Sequence, residues 1–293
     1  MTTVGPRDSR RQGFSTLAAV FSSRHEESAR TAGAAGGELD VWLLVPPEPP
    51  HDVPGHELDA HERLRAGSFR RPLDRRTYVA AHVGLRRVLA VYTGIAPDRV
   101  VLAGERHDGD GGRHGRPTVL GAPGAPQFSL SHSHGLALAA VAGVRVGADV
   151  QRTPTARTVE ACLPALHPAE REELLGLPED SRPEAFGRLW TRKEAYLKGL
   201  GTGLARRPGL DCLGEAALAA RPAGWLVGNL PLCAGYVGAV ALRGFGDRRV
   251  AIRAVPPECL CTVDASVAVD RLGRLEPGVR SVLRDRTAGP RAD

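Results

Sequence analysis

The chain has 293 residues, enough for one large domain or two modest ones. Its composition, 42% hydrophobic and 25% charged, is ordinary for a globular protein and argues against fibrous and membrane classes. No apolar run approaches the roughly 20 residues that cross a bilayer. The net charge of +6 suits an anionic ligand, an acidic protein partner or nucleic acid, and does not choose among them.

Residues 1–37 are rich in Ser, Arg, Gly and Ala without apolar periodicity, and they predict a disordered N-terminal extension. Their one apolar stretch is too short for a secretory signal, and a transit peptide stays a weaker alternative. The chain has five cysteines and no C-x-x-C pair. This odd count argues against a disulfide framework and a structural zinc site, and it favours a reducing cytoplasm.

The first part of the chain mixes strand and helix signals. In chain order, it predicts a strand at 39–45, an amphipathic helix at 74–92, a short strand at 100–102 and a Gly-rich loop at 104–117. The clearest strand pattern follows. Strands at 127–131, 136–142 and 144–150, separated by a turn at 132–135 and a Gly143 turn, predict an antiparallel meander.

The second part repeats that mixture. A short helix is predicted at 167–176, and a longer helix begins at Ser181, which forms a capping box with Glu184, and ends at Gly199–Gly201. Further strands are predicted at 226–230, 236–242, 248–254 and around Cys259–Cys261. The last 30 residues are weakly periodic and predict a tail or a loosely docked helix.

These elements give an α+β fold class, with a helix and about three antiparallel strands in each half. The predicted organisation is an extension at 1–37, an N-terminal half at 38–148, a C-terminal half at 149–262 and a tail at 263–293. The two halves show no convincing sequence repeat.

Lysine is scarce in this chain. Of the 39 basic residues only Lys193 and Lys198 are lysine, and both lie in one short segment. A lysine ammonium is a compact charge that can release its proton, whereas arginine stays charged. The placement therefore indicates two positions where arginine would not serve.

Two residue pairs could carry chemistry together. Asp149 and Gln151 share one face of a predicted strand, and Glu194 and Lys198 lie one turn apart on the predicted helix. Alone, each pair has a simpler interpretation as a solvated strand edge or a surface ion pair. Together, Asp149 and Glu194 predict a Mg²⁺ site, since that ion takes one or two carboxylates and completes its shell with water and substrate phosphate. Positive charge for a pyrophosphate would come from Lys193, Lys198 and His132.

Four ordered segments carry a resemblance to a known family. Residues 115–117 (GRP), 128–133 (FSLSHS), 147–150 (GADV) and 189–199 (LWTRKEAYLKG) resemble the signature of the Sfp-type 4′-phosphopantetheinyl transferases. The spacing agrees, with 17 residues from His132 to Asp149 and 45 from Asp149 to Glu194. The resemblance covers roughly residues 38–262.

The resemblance implies two similar halves related by a pseudo-two-fold axis, each a three-stranded antiparallel sheet packed on a helix, with the active site in the cleft between them. It implies Mg²⁺-dependent transfer of 4′-phosphopantetheine from coenzyme A to a serine of an acyl or peptidyl carrier protein. Asp149 and Glu194 would bind Mg²⁺, Glu194 would also be the base for the carrier serine, and Lys198 would meet the pyrophosphate. The other coenzyme A-binding positions would be Arg76, Arg116, Ser131, His132 and Lys193.

Two positions depart from the family pattern. Gln151 stands where many members have Glu, so Mg²⁺ would take water or a weak amide oxygen there. Thr77 stands where an arginine is usual, and Arg75 or Arg76 would cover that phosphate. Gln151 leaves a catalytically impaired coenzyme A-binding relative as the alternative function.

The expected partners are coenzyme A and carrier proteins, which are commonly acidic helical bundles that a basic surface would guide. A nucleic-acid-binding protein is disfavoured because the only two lysines cluster beside Glu194. We expect a cytoplasmic monomer without a membrane partner. The carrier and its pathway stay open.

Overall fold

The computed structural model describes residues 38–104, 115–216 and 218–285. The predicted extension at 1–37 and most of the predicted loop at 104–117 lie outside these ranges. None of the helices within them combines the length and apolar character that crossing a bilayer requires.

The described residues form ten strands and seven α-helices. The strands are β1 (Glu38–Leu44), β2 (Leu102–Gly104), β3 (Pro117–Val119), β4 (Gln127–Ser133), β5 (Leu136–Ala142), β6 (Val146–Arg152), β7 (Trp225–Asn229), β8 (Tyr236–Arg243), β9 (Arg248–Ala254) and β10 (Val279–Leu283). The helices are α1 (Ala60–Gly67), α2 (Pro72–Thr93), α3 (Ala156–Cys162), α4 (Pro168–Leu175), α5 (Arg182–Leu200), α6 (Glu258–Cys261) and α7 (Ala265–Gly273). Most predicted elements are confirmed within a few residues.

The strands form two larger sheets and a ribbon. The first sheet has the order β10-β9-β1-β5-β4, the second has the order β6-β8-β7, and β2 pairs with β3. The α+β class is confirmed. The prediction of three antiparallel strands per half holds only for the second sheet, because β9 and β10 join the first sheet and β9 pairs with β1 in parallel. The pseudo-two-fold relation and the boundaries at 148 and 262 stay predictions.

The predicted meander at 127–150 is only half right. β4 and β5 form the predicted hairpin, but β6 pairs with β8, with Asp149 opposite Ala239. The apolar side chains of β6 explain this choice, since Val146 and Val150 pack with Leu138 in a core between the two sheets. That burial is a tertiary preference, and a hairpin-like turn in the sequence does not reveal it.

The fold has four layers in the order helix, sheet, sheet and helix, and an apolar core lies between each pair of neighbouring layers. Side chains of α2 and α7 cover one face of the first sheet, and the second core fills the space between the two sheets. The third core lies between α5 and the outer face of the second sheet, where Leu189 and Tyr196 pack near Trp225. β4 and β6 are edge strands of their sheets, and they lie beside each other.

The last 30 residues are predicted as a tail or a loosely docked helix, and up to residue 285, where the described part ends, they form a docked helix and a strand. α7 packs on α2 with Ala268 and Leu272 buried, and β10 extends the first sheet. The two buried residues are one helical turn apart, so α7 presents one apolar face to the core. Cys259 and Cys261 lie in the short helix α6 rather than in the predicted strand.

Helix α5 begins after Ser181 and ends at Gly201. The predicted capping box is wrong, because Ser181 has helical backbone angles and its side chain makes no capping hydrogen bond. Gly201 has a φ of 84°, and its amide donates to the carbonyls of Leu197 and Lys198. A left-handed glycine here satisfies the last carbonyls and stops the helix.

Candidate active site

Asp149 lies at the centre of a polar cluster on β6. The residue is 1% exposed. Its Oδ1 accepts hydrogen bonds from Lys198 Nζ at 2.7 Å and from Ser131 Oγ at 2.7 Å, and its Oδ2 accepts one from Gln151 Nε2 at 3.1 Å. The cluster therefore joins β4, β6 and α5 at one carboxylate.

A close approach of α5 to β6 brings the helix residues to Asp149. A Cβ built on Gly147 would lie 1.9 Å from the carbonyl oxygen of Ala195 and 2.4 Å from the amide nitrogen of Gly199. Only glycine permits this contact, because any side chain at 147 would overlap the helix backbone. One turn of α5 then places Glu194 and Lys198 beside the strand.

Glu194 lies close enough to Asp149 for the Asp149 charge to act on it. Burial raises the pKa of Glu194, the Asp149 carboxylate raises it further, and Lys198 partly offsets both effects. Two like charges in a desolvated site repel, so the pair favours a cation or a proton between them. Glu194 is therefore suited to accept a proton from a substrate hydroxyl.

The opposite wall of the site is aromatic. The rings of Tyr78 and His82 on α2 stack with centroids 4.1 Å apart, and His132 meets the Tyr78 ring edge-on at 5.8 Å. His82 Nδ1 lies 2.9 Å from Glu62 Oε1. Burial alone would raise the pKa of Glu62, but hydrogen bonds from His82 and Arg86 outweigh it and lower the pKa to about 2. This anionic carboxylate anchors the wall.

His132 is held neutral by its surroundings. Burial lowers the pKa of His132 to about 4, with further lowering by the neighbouring His82 and Lys198. A bound phosphate would supply the missing negative charge and favour the protonated ring. The charge of His132 would therefore depend on whether an anion is bound beside it.

The lowered pKa of His132 can be tested through the pH dependence of the unfolding free energy. The unfolded chain protonates this ring near its ordinary value of 6.5, so the folded protein loses stability as pH falls from about 6.5 to about 4. We expect His132→Asn to reduce the loss of unfolding free energy between pH 7 and pH 5, measured by urea denaturation. His51→Asn, at an exposed histidine, keeps the wild-type loss. An unchanged loss in His132→Asn would contradict this assignment.

Arg76 does not share the face of α2 that meets His132. It lies two residues, or about 200° around the helix, from Tyr78. Its Nε is buried and has no hydrogen-bond partner among the described residues. Arg75 precedes Tyr78 by three residues and is exposed on the same side. Of the two arginines considered from the sequence, Arg75 is the better placed.

Arg116 lines an open groove of about 580 Å³ at the other end of β4. The groove is also lined by Arg145, Arg243 and Trp225, and the Arg243 guanidinium lies 5.8 Å from the Trp225 ring centroid. Arg145 directly precedes β6 and lies four residues before Asp149, a distance of about 13 Å along an extended chain. The position fits a distant part of an elongated anionic ligand.

Lys193 does not reach the site, which corrects its predicted phosphate contact. It is 2% exposed, pairs with Glu170 Oε2 at 2.7 Å, and donates to the carbonyls of Pro208 and Asp211 at 2.9 and 2.7 Å. These partners occupy all three ammonium protons. The lysine therefore anchors the segment after α5 to α4 and α5.

The donor set at the site suits Mg²⁺. Asp149 and Glu194 supply carboxylate oxygens, and the Gln151 amide, whose nitrogen faces Asp149, leaves its oxygen available. Within the described ranges no three His, Cys, Asp or Glu side chains converge on one point, so a site with three such ligands is not formed there. Mg²⁺ often needs fewer, because water and phosphate complete its shell.

The sequence missed some side chains that the structure brings to this site. Tyr78 and His82 lie within the amphipathic helix predicted at 74–92, where the pattern gives them no functional role. Ser129 and Ser133 were seen only as part of a motif. Their alternation with Ser131 on a predicted strand was the available signal, since alternate residues share a face.

The fold and site together define an α+β enzyme whose acid and lysine cluster lies where two sheets meet. A family model described as the 4′-phosphopantetheinyl transferase superfamily matches residues 145–223. The 4′-phosphopantetheinyl transferase HetI of Nostoc sp. is 33% identical over 220 residues, 71% of this chain and 89% of HetI. This chain belongs to the 4′-phosphopantetheinyl transferase superfamily.

Two further relatives agree. A putative 4′-phosphopantetheinyl transferase of Synechocystis sp. is 27% identical over 171 residues, 56% of this chain and 65% of the relative. An L-aminoadipate-semialdehyde dehydrogenase-phosphopantetheinyl transferase of Eremothecium gossypii is 34% identical over 177 residues, 56% of each chain. The family resemblance carried by the four sequence segments is thus confirmed.

Proposed function

We propose that this enzyme transfers 4′-phosphopantetheine from coenzyme A to a serine of an acyl or peptidyl carrier protein, with Mg²⁺. The observation that carries the proposal is the buried Asp149 carboxylate, which interacts with Glu194 and binds Lys198. The name of the Eremothecium gossypii relative, which includes a dehydrogenase, supports a protein acceptor.

The residues of the site divide the tasks of the proposed reaction, and Glu194 has two of them. Mg²⁺, held by Asp149, Glu194 and the Gln151 oxygen, would neutralise charge on the pyrophosphate. Glu194 takes the proton of the carrier serine, whose oxygen bonds to the β-phosphorus of coenzyme A. The bond from that phosphorus to the bridging oxygen breaks, and Lys198 gives a proton to the 3′,5′-ADP that leaves. Ser131 and His132 would face the phosphates, with Arg75 and Arg116 further out.

The test is mass analysis of a carrier protein incubated with the enzyme, coenzyme A and Mg²⁺. We expect the carrier to gain one phosphopantetheine group on its serine, and we expect EDTA to abolish the gain until excess Mg²⁺ is added. The substrates are an acyl carrier protein of fatty-acid synthesis and an excised peptidyl carrier domain. A carrier whose serine is replaced by alanine is the control. No gain on any carrier would overturn the proposal.

One observation favours a second candidate, a relative that binds coenzyme A without turnover. Gln151 is neutral and already donates a hydrogen bond to Asp149. It therefore offsets less of the Mg²⁺ charge than a Glu carboxylate would. This candidate predicts calorimetric coenzyme A binding without any carrier gain. Gln151→Glu would then create activity, whereas under the first proposal it only changes an existing rate.

We also propose that the enzyme is a cytoplasmic monomer whose carriers are acidic helical bundles. All five cysteines are free, which suits a reducing compartment. The basic net charge suits an acidic partner. Sedimentation of the purified protein at several concentrations tests the oligomeric state.

A further inference from the structure

β4 and β6 are edge strands of different sheets, and they lie side by side without a ladder of backbone hydrogen bonds between them. In the described part of the chain, β4 pairs with β5 and β6 pairs with β8, yet the two edges lie side by side. Edge strands expose unpaired amides, which are costly when buried. Something other than strand pairing must satisfy them.

Serine side chains of β4 fill that role. The amide of Ala148 donates to Ser129 Oγ at 3.0 Å, and the amide of Arg152 donates to Ser133 Oγ at 3.2 Å. Between them, Ser131 Oγ donates to Asp149 Oδ1. The three serines are 6–8% exposed and alternate along β4, so they share the face that meets β6. We call this row of contacts the serine seam.

The seam controls both the separation and the register of the two edges. A direct ladder would bring the strands to about 4.8 Å, whereas an inserted side chain keeps them further apart. The two serine-bound amides flank the segment that carries Asp149 and Gln151. α5 holds the same segment from its other side at Gly147.

We propose that Ser129 and Ser133 are positioning residues, which fix β6 so that the Asp149 carboxylate faces Glu194 and Lys198. The inference rests on the proposed function and goes beyond it, since neither hydroxyl is given a contact with substrate. Ser129 is the better residue for a test of this role, because Ser133 Oγ has a second contact, 3.0 Å from His134 Nδ1.

The main variant is Ser129→Ala, with Ser129→Thr as the variant that keeps the hydroxyl. Ser181→Ala is the matched control, because Ser181 is exposed and its side chain makes no capping bond. Two measurements are made on the full chain. The first is hydrogen exchange of the Ala148 amide without metal, and the second is calorimetric Mg²⁺ affinity beside the carrier assay.

We expect Ser129→Ala to speed exchange of the Ala148 amide at least tenfold and to weaken Mg²⁺ binding about tenfold, as other outer-shell partners do. kcat at saturating Mg²⁺ falls less than the Mg²⁺ affinity, and the melting temperature stays within a few degrees. Ser129→Thr restores both quantities, and Ser181→Ala resembles wild type.

The inference would be overturned if Ser129→Ala kept both the wild-type rate of Ala148 amide exchange and the wild-type Mg²⁺ affinity. A large fall in melting temperature with unchanged Mg²⁺ affinity would also overturn it, since that result marks a purely structural serine. If wild type itself binds no divalent cation and modifies no carrier, the proposed function fails, and the exchange result still decides whether the seam exists.

Discussion

We expect Glu194→Gln to lower kcat by about a hundred- to ten-thousand-fold at saturating coenzyme A and carrier. The substitution keeps the shape of the side chain but removes the proposed base for the serine proton, and it replaces one of the two proposed charged ligands of Mg²⁺. Because burial and Asp149 raise the pKa of Glu194, the wild-type carboxylate is a stronger base than an exposed glutamate. The measurement is the rate of carrier modification over a range of Mg²⁺ concentrations.

The control for this experiment lies on the same helix. Glu184 is ten residues earlier on α5, and its side chain is 68% exposed with only a 3.9 Å ion pair to Arg188. Glu184→Gln should change kcat less than twofold, because surface pairs contribute little. If Glu194→Gln keeps more than a tenth of the wild-type kcat at every Mg²⁺ concentration, Glu194 is neither the base nor an essential ligand.

The local patterns in the sequence were enough to predict most elements. α5 was predicted because its apolar stripe and its two final glycines are local signals. The β4–β5 hairpin and β8 were also predicted from local patterns. The Mg²⁺ site at Asp149 and Glu194 was predicted from residue type, and the catalytic roles of Glu194 and Lys198 were implied by the family resemblance. The structure brings Asp149 and Lys198 into contact, although 49 residues separate them.

What the sequence could not predict depends on contacts between distant parts of the chain. β9 pairs with β1 across more than 200 residues, and nothing near Arg248 indicates that partner. Lys193 and Lys198 are equally rare residues on one helix. Lys198 binds the Asp149 carboxylate at the site, whereas Lys193 pairs with Glu170 away from it. The two lysines differ only because α4 and the segment after α5 supply the partners of Lys193. The missed role of Ser129 is of the same kind, because its partner is a backbone amide.

Gly147→Ala tests the strand and helix contact on which the site depends. The new Cβ would meet backbone atoms of Ala195 and Gly199 at 1.9 and 2.4 Å. Backbone atoms cannot rotate away as a side chain does, so β6 and α5 must separate. We expect a loss of about 3 kcal/mol or more in unfolding free energy, at or above the upper end for overpacked cores. In thermal melts, that is a fall of about 6–12 °C.

Gly67→Ala is the matched control. Gly67 is exposed at the end of α1, its φ is not in the left-handed region, and no atom lies within 4 Å of an added Cβ. Alanine there should be neutral or stabilise by up to about 1 kcal/mol, since it restricts the unfolded chain. A Gly147→Ala protein as stable as Gly67→Ala would mean that α5 does not touch β6 as described. Glu194 and Lys198 would then have no fixed position relative to Asp149, and the proposed chemistry would lose its basis.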